Sequence, residues 1–186
     1  MPPKIKISRE NIINTALDVV RKNGENAINA RIIAEALKCS TQPIFSNFST
    51  MEELRFEVIA KATEICEEYI KTEVESQKYP IYKASGMAYI RFAKEESELF
   101  KLLYMRNRKG EDLSQGAELF KRMEVIVQSN TGLNQKNSEL FHLEMWAYVH
   151  GIATMLATGF LNLETELISR MLSDAYLGMR KQYEVE

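Results

Sequence analysis

Thr41, Gln42, Ser46 and Asn47 crowd four hydrogen-bonding side chains into one short stretch of the chain. A Gln amide can bond an adenine edge bidentately, and Thr or Ser hydroxyls can reach bases or phosphate oxygens. Cations suited to phosphate stand nearby in sequence: Arg31, and Lys4 and Lys6 on the leading arm. No comparable chemistry is found elsewhere. His142 and His150 would lie ~12 Å apart along a helix axis, too far to share one metal ion. Cys39 and Cys66 form no CxxC pair and read as free thiols of a reduced compartment. Glu144 and the pair Glu52–Glu53 read as a solvated side and as helix-start charge, not as catalytic carboxylates. Without a Ser/His/Asp order, a nucleotide loop or a metal cluster, no enzyme, cofactor or metal is expected.

The elements that must hold the polar cluster can be read from caps and spacing. Asn29 can cap a helix whose apolar residues Ile33, Ala34 and Leu37 recur at helical intervals. Ser40 can cap a second, with Pro43 in its first turn, where a missing N–H costs nothing. Thr50-Met-Glu-Glu53 is a capping box that opens another helix. Two short helices joined by a tight turn make a helix-turn-helix, whose second helix enters the DNA major groove. Thr41, Gln42, Ser46 and Asn47 fall on that second helix. Ile44 and Phe48 are expected to hold it against the first helix of the chain and not to touch DNA.

The remainder predicts an all-α protein. Hydrophobic residues make up 45% of the 186, Pro and Gly number only four and eight, and no run alternates as a sheet strand would. A first helix from near Ser8 carries Ile13, Ala16, Leu17 and Val20 and stops at Gly24. A long helix runs from Met51 towards Ser76, with Leu54, Val58, Ile65 and Tyr69 on one side. Pro80 starts another through about Lys94, and Ser97 caps one ending near Met105. Further helices cover about Leu113 to Gln128, Ser138 to Gly159, and Leu163 to Gln182. The expected division is 1–50, a three-helix DNA-binding domain, and 51–186, a larger helical domain. Net charge is −2, yet residues 1–48 hold seven basic against four acidic side chains, and the rest 17 against 22. A positive head on an acidic body suits a protein that meets phosphate with one end. The start of the chain lacks the apolar stretch of a signal peptide, and the most apolar helix, near Met145 to Leu163, is too polar for a confident span; a cytoplasmic protein without a membrane partner is expected.

Residues 1 to about 55 resemble the DNA-binding domain of TetR-type transcriptional regulators. The resemblance rests on Gly24, Ile33-Ala34, Ser40, Ile44-Phe45, Phe48 and Thr50-Met51-Glu52-Glu53-Leu54. The runs Ala88–Lys94, Glu98–Leu103 and Trp146–Gly151 are similar to one C-terminal type of that family, the WHG-like type. Three residues depart from the pattern. Lys38 stands where the family usually has Gly, so the turn must accept a side chain at positive φ. Phe45 replaces a Tyr whose hydroxyl would reach a phosphate, and Met51 replaces a backbone-contacting Lys. The candidate DNA contacts are Lys4, Lys6, Arg31, Ser40, Thr41, Gln42, Pro43, Phe45, Ser46, Asn47 and Thr50, and the weight among them shifts to Arg31, the arm lysines and the face from Thr41 to Asn47.

The resemblance further implies a homodimer on double-stranded, palindromic operator DNA, acting as a repressor released by an unknown small-molecule effector of apolar or amphipathic character. Aromatic and soft side chains available for a pocket are Met87, Phe92, Phe100, Leu103, Tyr104, Phe120, Met123, Trp146, His150 and Met155, the alternative being that they are plain core. The two C-terminal helices can pair with their copies as a four-helix bundle, the alternative being that both fill the monomer's own core. The expected interface is Met145, Ile152, Leu156, Ile168, Met171, Leu172, Ala175 and Met179. A competing reading is a helical adaptor or sensor whose helix-turn-helix no longer binds DNA.

Overall fold

The structure, a computed structural model, describes residues 7–107 and 114–183, and of residues 114–119 the backbone alone. Every regular element among them is helical. Helix α1 (Arg9–Asn23) begins at Ser8, whose hydroxyl accepts the Asn11 N–H at 3.1 Å. It ends at Gly24, held at φ 76° with its N–H on the Val20 carbonyl at 2.8 Å. That backbone favours glycine, and an added Cβ would also stand 2.9 Å from Glu98 Oε2. The inward stripe is Ile12, Ala16, Leu17, Val19 and Val20, so Ile12 takes the place expected of Ile13.

After a 3₁₀ turn (Glu25–Ala27), α2 (Ala30–Ala36) starts on Asn29, whose side chain accepts the Ile32 N–H at 3.0 Å. It closes in a Schellman motif: Lys38 N–H meets the Glu35 carbonyl at 3.0 Å, and Cys39 N–H the Ala34 carbonyl at 2.9 Å. Lys38 occupies the left-handed position at φ 53°, as the sequence required. Helix α3 (Gln42–Asn47) corrects one expectation, because Ser40 does not cap it. Thr41 precedes the helix in near-helical geometry, and no side chain caps it. Pro43, at the start of the helix, has no N–H for a capping oxygen to accept. Helix α4 (Met51–Glu75) opens on the expected box: Thr50 Oγ1 accepts the Glu53 N–H at 3.1 Å, and the Glu53 carboxylate accepts the Ser49 N–H at 2.7 Å. Its buried stripe, Leu54, Val58, Ala62 and Cys66, follows i,i+4 steps and runs through Cys66 where Ile65 was expected.

The described chain packs as two compact units. The first runs through Glu67 and takes in Glu96–Arg106. It therefore contains α6 (Ser97–Tyr104), which packs on α1 and buries Leu99, Phe100, Leu102 and Leu103. Arg21 of α1 grips Glu96 bidentately, with Nε and Nη2 each 2.8 Å from a carboxylate oxygen. Ser97 is the first residue of α6 and not its cap; Glu96 precedes it, and no side chain caps the helix.

The second unit holds Glu68–Glu95 and the chain from Asn107 onward. Here α5 (Ile81–Glu95), α7 (Ser114–Thr131), α8 (Gln135–Ala157) and α9 (Thr165–Gln182) form the body. Helices α5 and α8 run in the same direction, since Tyr82 meets His142 and Tyr89 meets His150. Gly86 lies where α5 comes close to α8 and α9: an added Cβ would sit 3.4 Å from Leu172 of α9 and 3.5 Å from Val149 of α8. Helix α8 is capped by Asn134 and starts at Gln135, three residues before the expected Ser138. Ser138 is buried and donates its hydroxyl to the Leu133 carbonyl at 3.4 Å. No helix among the described residues is long and apolar enough to cross a membrane.

Candidate nucleic-acid interface

The residues of α3 divide sharply by burial. Ile44 and Phe48 are buried in the first unit's core, as expected, while Gln42, Phe45 and Ser46 are exposed. Phe45 has 54% of its surface open to solvent. Ser40 and Thr50 are exposed; Thr41, Pro43 and Asn47 are half-buried. Arg31 is exposed in the first turn of α2. Lys4 and Lys6 lie outside the described residues.

Hydrogen bonding distinguishes the polar candidates further. Ser46 donates its hydroxyl to the Gln42 carbonyl at 2.9 Å, and Asn47 donates its amide to the Pro43 carbonyl at 2.8 Å. Both side chains bend back on their own helix, a competition common for Ser and Asn. Thr50 spends its hydroxyl on the α4 cap. Among the residues expected to read bases, the Gln42 amide therefore projects most freely.

One positioning residue escapes a reading from spacing alone. Arg9 reaches from the first turn of α1 to Glu53 at 2.9 Å and Glu57 at 2.8 Å, and donates to the Asn47 carbonyl at the end of α3. Its guanidinium lies 4.2 Å over the Phe48 ring. A single cation thus fixes α1, the exit of α3 and the start of α4. The Ser49 N–H, and then Arg9, hold the Glu53 carboxyl below its ordinary pKa. The available signal was a cation in the first turn of a helix, where the dipole disfavours positive charge and a specific partner is called for.

In the body, the pocket candidates do not share one environment. Phe100, Leu103 and Tyr104 are on α6, within the first unit. Met87 and Phe92 are buried on α5, with Phe92 edge-on to Tyr69 at 5.5 Å. Phe120 lies against His142 at 4.2 Å between ring centres, and Met123 is half-buried on α7. Trp146 stacks on His150 at 5.0 Å and an interplanar angle of 12°. Trp146 and Met155 are exposed. The tyrosines facing the two histidines were not foreseen: Tyr82 shares a hydrogen bond with His142 Nδ1, and Tyr89 with His150 Nδ1, both at 2.9 Å. Burial lowers both imidazole pKa values, that of His142 to about 4. Of the expected interface residues, Met145, Ile152, Leu156, Ile168 and Leu172 are buried within the body, while Met171, Ala175 and Met179 are half-buried.

Residues 82–175, half of the chain, match the family model of the tetracyclin repressor-like C-terminal domain. The chain belongs to the TetR family of transcriptional regulators. TetR-family proteins are DNA-binding regulators and not enzymes. The fold agrees along nearly the whole length. A TetR-like transcriptional regulator from Rhodococcus sp. RHA1 superposes with a TM-score of 0.72 over 95% of this chain and 96% of its own, at 15% identity. No curated protein matches in sequence. In this TetR-family member, α2 and α3 form the N-terminal helix-turn-helix, packed with α1. The Arg9 clamp sets the pose of α3.

Proposed function

We propose that the protein is a cytoplasmic homodimeric repressor that places one α3 in each half of a palindromic operator. A small apolar or amphipathic effector bound in the helical body would release it. The presentation of α3 carries this reading. Its apolar side is spent on the head's core, Arg9 locks its exit, and Gln42 projects outward beside Phe45. A Gln amide so placed suits bidentate bonding to adenine N6 and N7. Arg31, Lys4 and Lys6 are the proposed phosphate contacts.

Dimer formation is supported by the outer faces of α8 and α9. Leu140, Leu143, Trp146, Met155, Leu167 and Leu177 are all exposed, a large apolar display for an isolated subunit. Gly151 and Gly178 lie on the same two helices, and an added Cβ at either would meet nothing within 4 Å. Glycines on an open helix face allow a partner helix to approach closely. The proposed interface therefore centres on these outward residues. Met145, Ile152, Leu156, Ile168 and Leu172, the residues suggested by periodicity, serve the subunit's own core.

Selecting bound duplexes from a random pool tests the proposal. The expected product is an inverted repeat bound by two chains, with affinity falling as salt rises. Failure to enrich any sequence, with no binding even at low salt, would favour the adaptor reading instead.

A further inference from the structure

The exposed arc of α3 has an apolar member that phosphate chemistry does not explain. With 3.6 residues per turn, Gln42, Phe45 and Ser46 lie within about 100° of one another around the helix. Ser46 is back-bonded to its own helix. The arc thus offers one projecting amide and, one turn away, a phenyl ring more than half open to solvent. A phenyl ring cannot donate to a phosphate oxygen, and pressing it on the charged backbone would desolvate phosphates without return. The major groove has an apolar group that such a ring can cover, the C5-methyl of thymine.

Resting on the DNA-binding reading above, we infer that Phe45 is a specificity residue that reads a thymine methyl in each half-site, next to the base pair read by Gln42. The pair makes α3 a reader of A·T pairs: an amide for the adenine edge and a ring for the methyl. Ile44 and Phe48, anchored in the core on either side of Phe45 in sequence, together with the Arg9 clamp, fix the ring's pose from behind. Its exposure is then a feature of the free protein that DNA removes. The same contact would accept 5-methylcytosine over cytosine, since the methyl group is common to both.

The experiment uses the full chain and a duplex selected from a random pool, with each thymine replaced singly by deoxyuridine, which deletes only the methyl. One thymine per half-site should show a loss of about fourfold in affinity, the worth of burying one methyl. Phe45→Ala should bind the thymine duplex less tightly and show no uracil penalty at that position. Because Phe45 is exposed and Ala favours helix, the variant keeps the head's structure. Phe45→Leu, which retains an apolar surface, should keep part of the penalty. At the same site, 5-methylcytosine should outbind cytosine for the wild type only. A flat uracil scan with tight binding, or a penalty that survives in Phe45→Ala, would overturn the assignment to Phe45 and leave the regulator reading intact. Absence of binding to any duplex at low salt would overturn both.

Discussion

Lys38 sits in left-handed backbone at φ 53°, where its Cβ is crowded and glycine would not be. Its N–H and that of Cys39 complete the Schellman bonds that close α2, so the strained position is held by the motif and not by the side chain. Lys38→Gly should keep both bonds and stabilise the protein by about 0.5–1 kcal/mol, net of the greater entropy of glycine in the unfolded chain. Thermal unfolding checks this, and an unchanged or lower midpoint would count against the strain. His142 makes a second residue-scale prediction. Buried beside Tyr82 and Phe120, it has a pKa of about 4, below the ordinary 6.5. As pH falls below 6.5 the unfolded chain takes up a proton that the folded chain refuses, so stability is lost from about pH 6.5 down to about 4. The melting temperature should drop across that window in the wild type and drop less in His142→Gln, which can still accept a hydrogen bond from Tyr82.

Among the elements, α3 is the shortest functional piece and depends most on its neighbours. Six residues do not hold a helix alone. Its pose comes from buried Ile44 and Phe48 and from Arg9, which binds the Asn47 carbonyl and the Glu53 and Glu57 carboxylates together. Arg9→Met keeps the aliphatic stem over Phe48 but removes the fork. It should weaken operator binding several-fold, with circular dichroism unchanged at room temperature. Wild-type affinity in that variant would show that the clamp does not set the reading pose. Caps and backbone signals at this scale were legible because they are local: Asn29 on Ile32, Thr50 on Glu53, and Gly24 at the end of α1. The Arg9 clamp was not, since its partners lie 38 to 48 residues away and no spacing rule connects them. Nor was the Asn47 back-bond, which competes with outward projection on equal chemical terms. Ser40 and Ser97 were read as caps from type and position, but one stands a residue too early and the other is already inside its helix.

At the scale of the whole molecule, the helical periodicity of α8 and α9 identified apolar faces without saying what covers them. Two apolar faces on one helix look alike in sequence, whether the cover is the subunit's own core or a second copy. The structure assigns Met145, Ile152, Leu156, Ile168 and Leu172 to the core and leaves Leu140, Leu143, Leu167 and Leu177 outside. The all-helical class and the helix-turn-helix followed from composition and caps, whereas the grouping of α6 with α1, two elements bridged by the long-range Arg21–Glu96 fork, did not. If a second copy covers the outer face, Gly151→Glu should yield a monomer by sedimentation, with helicity retained because the new side chain meets nothing in its own subunit. A dimer of undiminished strength would relocate the interface.

The claim on which the account stands is that α3 reads DNA. Its most direct test is the affinity of wild type and Gln42→Ala for a selected palindromic duplex and its single-position variants, measured across a series of salt concentrations. The account predicts wild-type binding whose logarithm falls linearly with log salt, and a Gln42→Ala protein with the same salt slope that no longer distinguishes bases at one position of each half-site. Wild-type binding that ignores salt, or a Gln42→Ala profile identical to wild type at every position, would contradict it.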